Sequence, residues 1–343
     1  MLVPAFIDIH MHGCGGVDAA SCDPDGLDNM CRLLASHGTG GFLPTLPAVS
    51  PEISRKALSV FDAKMKEQAE TLRTLSETAD GDKIKLKEAF VLGAHLEGPF
   101  MLPAFKGALD QSVFLPATID NWRALTEGFE HVVKRVTIDP LCPGALDLIS
   151  YLAGKGISVT CGHTAADSET IFKAFESGAT SVTHIFNAMP SIHHRNPGPA
   201  AAAMADDNAF AELICDFLHV NKVVCKMVIK SKSPDKVAVI TDSCEAAGMP
   251  DGKYRLCGQE INVINGEARL DDGRLASSTV FMDKERLNLL SLGFGERDVS
   301  KLTHHTPLNC ISAPPEFRSV LSHVYADIRS DGFAKGLVFS KVL

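Results

Sequence analysis

The sequence predicts an α/β protein built on a closed (β/α)8 barrel of the metal-dependent hydrolase kind, with a small, incomplete β domain beside it. Three observations predict this. Short runs rich in Val, Ile and Phe alternate with longer amphipathic stretches, eight such runs can be counted, and a period-two segment follows them. The 343-residue length suits one barrel of roughly 250 residues plus an appendage. With 45% apolar and 22% charged residues, the chain is globular and can bury a full core. Its 33 basic and 42 acidic side chains give a net charge of −9, which excludes a general attraction to nucleic acid or to an anionic membrane surface. Any anionic ligand therefore needs a local basic site. No apolar run approaches the roughly 18 residues of a membrane span. The first residues show no basic region or cleavage signature, so no secretory signal is read. Ten cysteines lie scattered without a Cys-x-x-Cys pair, which points to reduced thiols and a cytoplasmic protein.

Val3–Ile9 reads as the first strand, and Asp25–Ser36 as a helix with Leu27, Met30, Cys31 and Leu34 on one face. Gly41–Leu46 is the second strand. Pro51 opens a long helix that runs to Ser76, with proline at a first-turn position where it is tolerated. Ala89–His95, Val132–Ile138 and Ile157–Cys161 are the third to fifth strands. Asp167 can cap a helix that ends at Gly178. Ser181–Ile185, Ala211–Cys215 and Val237–Thr241 complete the eight. Tyr254–Leu256, Ile261–Ile264 and Ala268–Leu270 then alternate around Asn265-Gly266, a strong hairpin signal. A helix near Met282–Gly293 and a short β-like tail at Gly336–Val342 follow. The barrel is thus expected over residues 1–310, with a hairpin insertion at about 253–275, and residues 311–343 as the remnant of a small β domain.

The chemistry gathers at strand ends. His10 and His12 are two apart, so a strand projects both imidazoles to one side. Glu97 follows an apolar run and stands beside Gly98-Pro99, an odd place for a carboxylate unless it is paired or ligated. His163, His184 and Asp242 end the fifth, sixth and eighth strands. Any one of the six has a bland reading as a core histidine or a helix cap. Together they converge on the C-terminal rim, where barrel active sites form. Imidazoles and carboxylates suit a divalent ion such as zinc or iron, one or two of them. Such a site acidifies water toward neutrality and polarises a carbonyl, while a spare carboxylate moves the proton.

Several runs carry a resemblance that spans residues 3–285 in order. They are Pro4 through Gly13, Leu96-Glu97-Gly98-Pro99-Phe100, Gly162-His163-Thr164, Thr183 through Met189, His193 through Gly198, Thr241-Asp242, and Gly258 through Thr279. These resemble the N-acetylglucosamine-6-phosphate deacetylase family, a branch of the amidohydrolase superfamily. The resemblance implies that Glu97, His163 and His184 are the principal metal ligands. His10 and His12 would support a second ion, with Glu97 able to bridge. Asp242 would be the general acid/base, and the reaction the hydrolysis of a sugar-phosphate acetamide to acetate and the free amine. Asn187, Ala188, Arg195 and His219 would hold the sugar phosphate, with Ala108, Leu275 and Ala276 also at the substrate. The arginine can come from a neighbouring subunit in this family, which implies a homodimer.

The chain departs from the family pattern in places. Leu109 stands where His is usual, and Phe217 where Gly is usual. Asp139-Pro140-Leu141 replaces the common Ala-Pro-Glu, and the strands that precede the His-x-His strand in relatives have no counterpart here. Three other readings follow from the same residues. One is a cyclic-amide hydrolase, which would need a bridging carboxylated lysine at the end of the fourth strand, where Ile138-Asp139-Pro140 stands instead. Another is a deacetylase for the galacto epimer, and the third a catalytically impaired sugar-phosphate binder.

Overall fold

The computed structural model describes residues 1–78 and 83–341. Its centre is a parallel barrel whose strands are, in order, Phe6–Met11, Thr39–Leu46, Ala94–Glu97, Val133–Ile138, Ser158–Cys161, Ser181–Val182, Phe210–Leu213 and Val237–Val239. All eight expected strands are present. The third is interrupted: Phe90–Val91 pairs with the second strand, and Ala94–Glu97 resumes after Gly93. Gly93 has φ +140, and a Cβ there would meet Lys134 Cγ at 2.2 Å, so only glycine permits the break. Gln68, from the long helix Pro51–Glu77, bridges the gap by donating to Ala89 O and accepting from Val91 N, each at 2.9 Å.

The eighth and first strands meet at a seam whose backbone bonds gather at the rim, where His12 N donates to Ser243 O at 2.7 Å and Gly13 N to the same oxygen at 3.1 Å. Asp242 N donates to His10 O at 2.9 Å. Below it, the Asp8 carboxylate takes the place of a strand carbonyl, accepting from Thr241 N at 3.3 Å and Thr241 Oγ1 at 2.5 Å. Burial pushes the Asp8 carboxyl up to about 6, against the bonds it accepts from Thr241 and His10.

The flanking helices follow the expected logic. Pro24–Ser36 is capped by Asp23, whose Oδ1 accepts from Gly26 N at 2.8 Å, and it buries Leu27, Met30, Cys31 and Leu34. Each such side chain contributes about 1.5–3 kcal/mol of burial. Ser168–Glu176 is capped by Asp167 as expected. Helices at Ile119–Thr126, Ala145–Gly154, Gly198–Ala205 and Lys222–Lys232 complete the outer layer.

Two smaller sheets adjoin the barrel. Gly252–Leu256, Gln259–Ile264 and Glu267–Arg269 form an antiparallel three-stranded flap, turning at Asn265 (φ 54) and Gly266 (φ 75) as a tight hairpin demands. Val324–Ile328 and Ala334–Phe339 form the tail hairpin, and Val342 lies outside the described residues. The tail strands do not stand alone. Leu2–Pro4 adds to one side and Ile84–Leu86 to the other, giving a four-stranded antiparallel sheet. The run read as one strand, Val3–Ile9, is therefore two, serving the small sheet up to Pro4 and the barrel from Phe6.

His304 joins the two bodies, with Nδ1 2.6 Å from Ala5 O at the junction of those two strands. Burial pulls its imidazole from 6.5 down to about 4. The native chain then binds fewer protons than the unfolded chain between these values. The associated stability is complete above pH 6.5 and is lost as the pH falls toward 4, about 3 kcal/mol in all. We expect denaturant titrations of a His304→Gln variant to lose about 3 kcal/mol less than the parent between pH 7 and pH 4. Equal losses would remove His304 as the cause.

Candidate active site

Six side chains from five strand ends meet at the C-terminal rim of the barrel, and they are the six read from the sequence. Glu97, 3% exposed, lies at their centre. Its Oε1 is 3.1 Å from His163 Nε2 and 3.1 Å from His184 Nε2, and these two nitrogens are themselves 3.1 Å apart. His10 Nε2 lies 3.3 Å from the same oxygen, and His12 Nε2 lies 3.2 Å from Oε2. Asp242 Oδ1 faces His12 Nε2 at 3.2 Å and His10 Nε2 at 3.5 Å. Two triads result: Glu97, His163 and His184, and His10, His12 and Asp242.

The hydrogen bonds behind the rings set which nitrogen faces inward. His163 Nδ1 is 3.0 Å from Phe105 O, and His12 Nδ1 is 3.2 Å from Thr45 O. A carbonyl oxygen can only accept, so in the neutral rings Nδ1 carries the proton and Nε2 presents a lone pair. These lone pairs point at carboxylate oxygens. His10 Nε2 is buried without a hydrogen-bond partner. Such a cluster needs positive charge at its centre. Burial works against the charged form of His12, yet Asp242 and Glu97 push its imidazole up to about 10. Burial likewise opposes ionisation of Glu97, but His10 and His163 hold its carboxyl well below the usual range. Asp242 is lowered in the same way, burial being outweighed by His10 and His12.

A divalent ion fits this demand. Nitrogen and oxygen ligands at about 2.0–2.1 Å in tetrahedral geometry stand about 3.3 Å apart. The 3.1 Å triangle of Glu97, His163 and His184 matches that spacing. His95 was not singled out in the sequence and is not a ligand. Its ring packs edge-on against His10 at 4.6 Å and makes contacts with Thr137 Oγ1 and Thr45 Oγ1. Burial, with His10 adding to it, holds its imidazole well below the usual value.

Backbone strain gathers at the same rim. His163 (φ 50), His184 (φ 25), Phe186 (φ 76), Ala188 (φ 49) and Asp242 (φ 49) all lie in the left-handed region, a conformation costing about 1–3 kcal/mol for each such residue. The strands end abruptly there, which is why the sixth is only Ser181–Val182 and the eighth stops at Val239. The turned backbone aims each side chain across the rim.

A cleft of about 650 Å³ opens above the cluster, in the range of small-molecule sites. Asn187, Ala188, His219, Ala108, Leu275 and Ala276 line it, as the sequence led us to expect. His219 Nδ1 bonds Asp216 Oδ2 at 2.7 Å, which leaves Nε2 free. Arg195 is not on this wall. It is exposed on the loop 190–197, with its guanidinium 2.7 Å from His194 Nε2. The sequence reading missed Lys106, Arg269 and Arg274, which also line the cleft, the two arginines paired with Glu267 and Asp272 at 2.7 Å. Two lie in the flap, and only its packing against the rim shows where they point. Leu109 lines the cleft with hydrocarbon, buried beside Ala48 and Met101, while Phe217, at φ 68, packs half-buried against the main core.

A parallel eight-strand barrel with such a rim defines a metal-dependent hydrolase of the amidohydrolase class, acting on amide C–N bonds. No family model matches the chain. It is 35% identical over 292 residues to an N-acetylgalactosamine-6-phosphate deacetylase of Escherichia coli, covering 85% of this chain and 73% of that one. It is 34% identical over 284 residues to the N-acetylglucosamine-6-phosphate deacetylase of Bacillus subtilis, covering 83% and 68%. The N-acetyl-D-glucosamine-6-phosphate deacetylase of Mycobacterium smegmatis, solved as a variant in complex with N-acetyl-D-glucosamine-6-phosphate, superposes with a TM-score of 0.83 at 26% identity, covering 98% of this chain and 84% of that one. The Thermotoga maritima enzyme of the same name gives 0.82 at 27%, covering 97% and 85%. The chain belongs to the N-acetylglucosamine-6-phosphate deacetylase family.

Because Glu97 faces both triads, its replacement removes charge from the whole centre. Glu97→Gln is expected to purify with its divalent metal content reduced to about a tenth or less of the parent's, by elemental analysis. Undiminished metal would show that the ions sit elsewhere.

Proposed function

We propose that this chain hydrolyses the acetamide of N-acetylglucosamine 6-phosphate to glucosamine 6-phosphate and acetate. The carrying observation is the convergence of Glu97, His163, His184, His10, His12 and Asp242 beneath a cleft that Lys106, Arg269 and Arg274 also line. Glu97, His163 and His184 are the principal ligands of a divalent ion, zinc or iron, and His10 and His12 can hold a second. When bound, the metal supplies Lewis acidity that polarises the acetamide carbonyl and brings water toward a pKa of about 7.

The chain's own groups do the rest. Asp242 takes the proton of the attacking water at Oδ1 and delivers it to the departing nitrogen, which must leave as an amine. Its lowered pKa keeps it ionised at the start of the cycle, as a base must be. Asn187 and Ala188 sit on the strained turn beside His184 and present polar groups to the sugar. His219, fixed by Asp216, turns Nε2 toward the phosphate and donates to it as the imidazolium, its other ring proton held by the Asp216 carboxylate behind it. Ala108, Leu275 and Ala276 give the sugar a close apolar wall, and Leu109 withholds the donor that His supplies in relatives.

The protein acts as a homodimer, with Arg195 reaching the neighbouring subunit's phosphate site. The exposure of Arg195 supports this. So do the apolar Ile192 (45% exposed), Leu218 (47%), Val223 (70%) and Met227 (48%), which follow the same two barrel strands. Ten free cysteines, nine of them buried, support a cytoplasmic setting. Among the described residues no helix is long and apolar enough to cross a membrane. The galacto epimer is the second reading, favoured by the 35% identity to the N-acetylgalactosamine-6-phosphate enzyme.

The test is acetate release from both N-acetylated hexosamine 6-phosphates by protein loaded with zinc or iron(II). We expect turnover with a higher kcat/KM for the gluco substrate. A reversed ratio selects the second reading, and silence from folded, metal-replete protein removes both in favour of a sugar-phosphate binder. Asp242→Asn should keep its metal and lose about 10²–10⁴-fold in kcat. A variant at the parent rate would sink the acid/base role. For the dimer, Arg195→Ala and Asp242→Asn proteins are each expected to be weak alone and to regain activity when mixed and reassembled, because one hybrid site then holds both intact residues. No recovery in verified mixed dimers would place Arg195 outside the neighbour's site.

A further inference from the structure

Beneath the metal cluster lies a buried ionic chain that neither the sequence reading nor the proposed chemistry uses. The guanidinium of Arg135, 0% exposed inside the barrel, bonds Glu212 Oε1 and also donates to Ser158 Oγ at 2.9 Å and Ser181 Oγ at 2.6 Å. Glu212, also 0% exposed, accepts further bonds at Oε1 from Thr160 and Ser181, each at 2.9 Å. Among the described residues, its other oxygen accepts from Thr183 Oγ1 alone, at 3.0 Å. Thr183 Oγ1 is in turn 3.0 Å from His10 Nδ1.

The direction of these bonds is fixed by proton count. A carboxylate paired with a guanidinium accepts only, so the single hydroxyl proton of Thr183 goes to Glu212. The Thr183 oxygen can then only accept, and His10 must donate its Nδ1 proton to it. Nε2 of His10 is left as a lone pair, aimed between Glu97 Oε1 and Asp242 Oδ1. For His12 and His163 a backbone carbonyl does this task directly. For His10 a side-chain chain of three residues does it instead.

We propose that Glu212 and Thr183 are positioning residues for the metal centre, holding His10 in its ligating tautomer, and that Arg135 keeps Glu212 charged for that purpose. This rests on reading the rim as a divalent-metal site and is independent of which substrate is cleaved. Partners behind ligating imidazoles are commonly worth 10–100-fold in metal affinity, about the effect expected here.

The test is zinc titration of chelator-stripped protein, read as binding affinity rather than turnover. Thr183→Val keeps the side-chain shape but removes the hydroxyl, and should weaken binding of the second zinc, the one His10 and His12 would hold, by about 10–100-fold. Thr183→Ser restores the hydroxyl and should return the affinity to near the parent's, which a purely packing role would not produce. Equal affinities in all three proteins overturn the proposal, as does failure of the parent to take up zinc. Should Thr183→Val not fold, the parent suffices: long-range 1H–15N spectra of the zinc-loaded protein, with His10→Asn identifying the signal, should show His10 protonated at Nδ1. A proton on Nε2 overturns it. Zinc uptake with the expected variant ranking but no acetate release would reject the deacetylase reading and leave this one standing.

Discussion

The structure depends on one carboxylate being brought within about 3.3 Å of four imidazoles at the nearly buried floor of the cleft. Glu97 can occupy that place only if positive charge joins it, because the carbonyls behind His12 and His163 turn their lone pairs inward. A proton can meet the demand in part, as the raised value of His12 shows, but a divalent ion meets it for several donors at once. Burial strengthens every one of these interactions, so the site is electrostatically tense before substrate arrives. The surrounding barrel supplies the stiffness that holds like-signed groups together.

That stiffness comes from an unusual interior. Outside the sheet the helices pack through apolar faces such as Leu27, Met30 and Leu34. Inside, the layer beneath the rim is polar, centred on Arg135 and Glu212 and completed by Ser158, Thr160, Ser181 and Thr183. A buried ion pair of this kind adds little net stability over a hydrocarbon core, but removing one partner is strongly destabilising. It fixes orientation in a way that interchangeable Val and Leu side chains could not. The left-handed turns at His163, His184 and Asp242 draw on the same rigidity, since isolated strands would relax out of them.

Much of this was legible in the sequence. Eight strands, the Asp167 helix cap, the Asn265-Gly266 turn and all six rim residues follow from alternation, spacing, turn chemistry and position at strand ends. What escaped the sequence was governed by contacts distant along the chain. The break at Gly93 depends on Lys134 approaching it, and the split of Val3–Ile9 depends on a tail more than 300 residues away. Ile84–Leu86 is too short for a periodic signal and becomes a strand only because Ala334–Phe339 offers an edge. Lys106, Arg269 and Arg274 carry no local mark of function, because their place on the cleft wall is set by how the flap docks. The exposure of Arg195 cannot be read from composition at all.

The seam between the eighth and first strands divides the rim mechanically. Glu97, His163 and His184 belong to strands that are hydrogen-bonded to their neighbours on both sides, and they form a stiff block. Asp242 sits at the seam, where its own N bonds His10 O, His12 N bonds Ser243 O, and Asp8 stands in for backbone pairing on the side away from the rim. The carboxylate proposed to carry the proton is therefore mounted where residues 233 apart in the chain, Asp8 and Thr241, close the barrel, across from proposed ligands that lie within a continuous ladder. Barrel closure and the proposed proton transfer thus share one junction, so a change that parts the eighth strand from the first, such as loss of the Asp8 carboxylate, would reach Asp242 before it reached Glu97, His163 or His184.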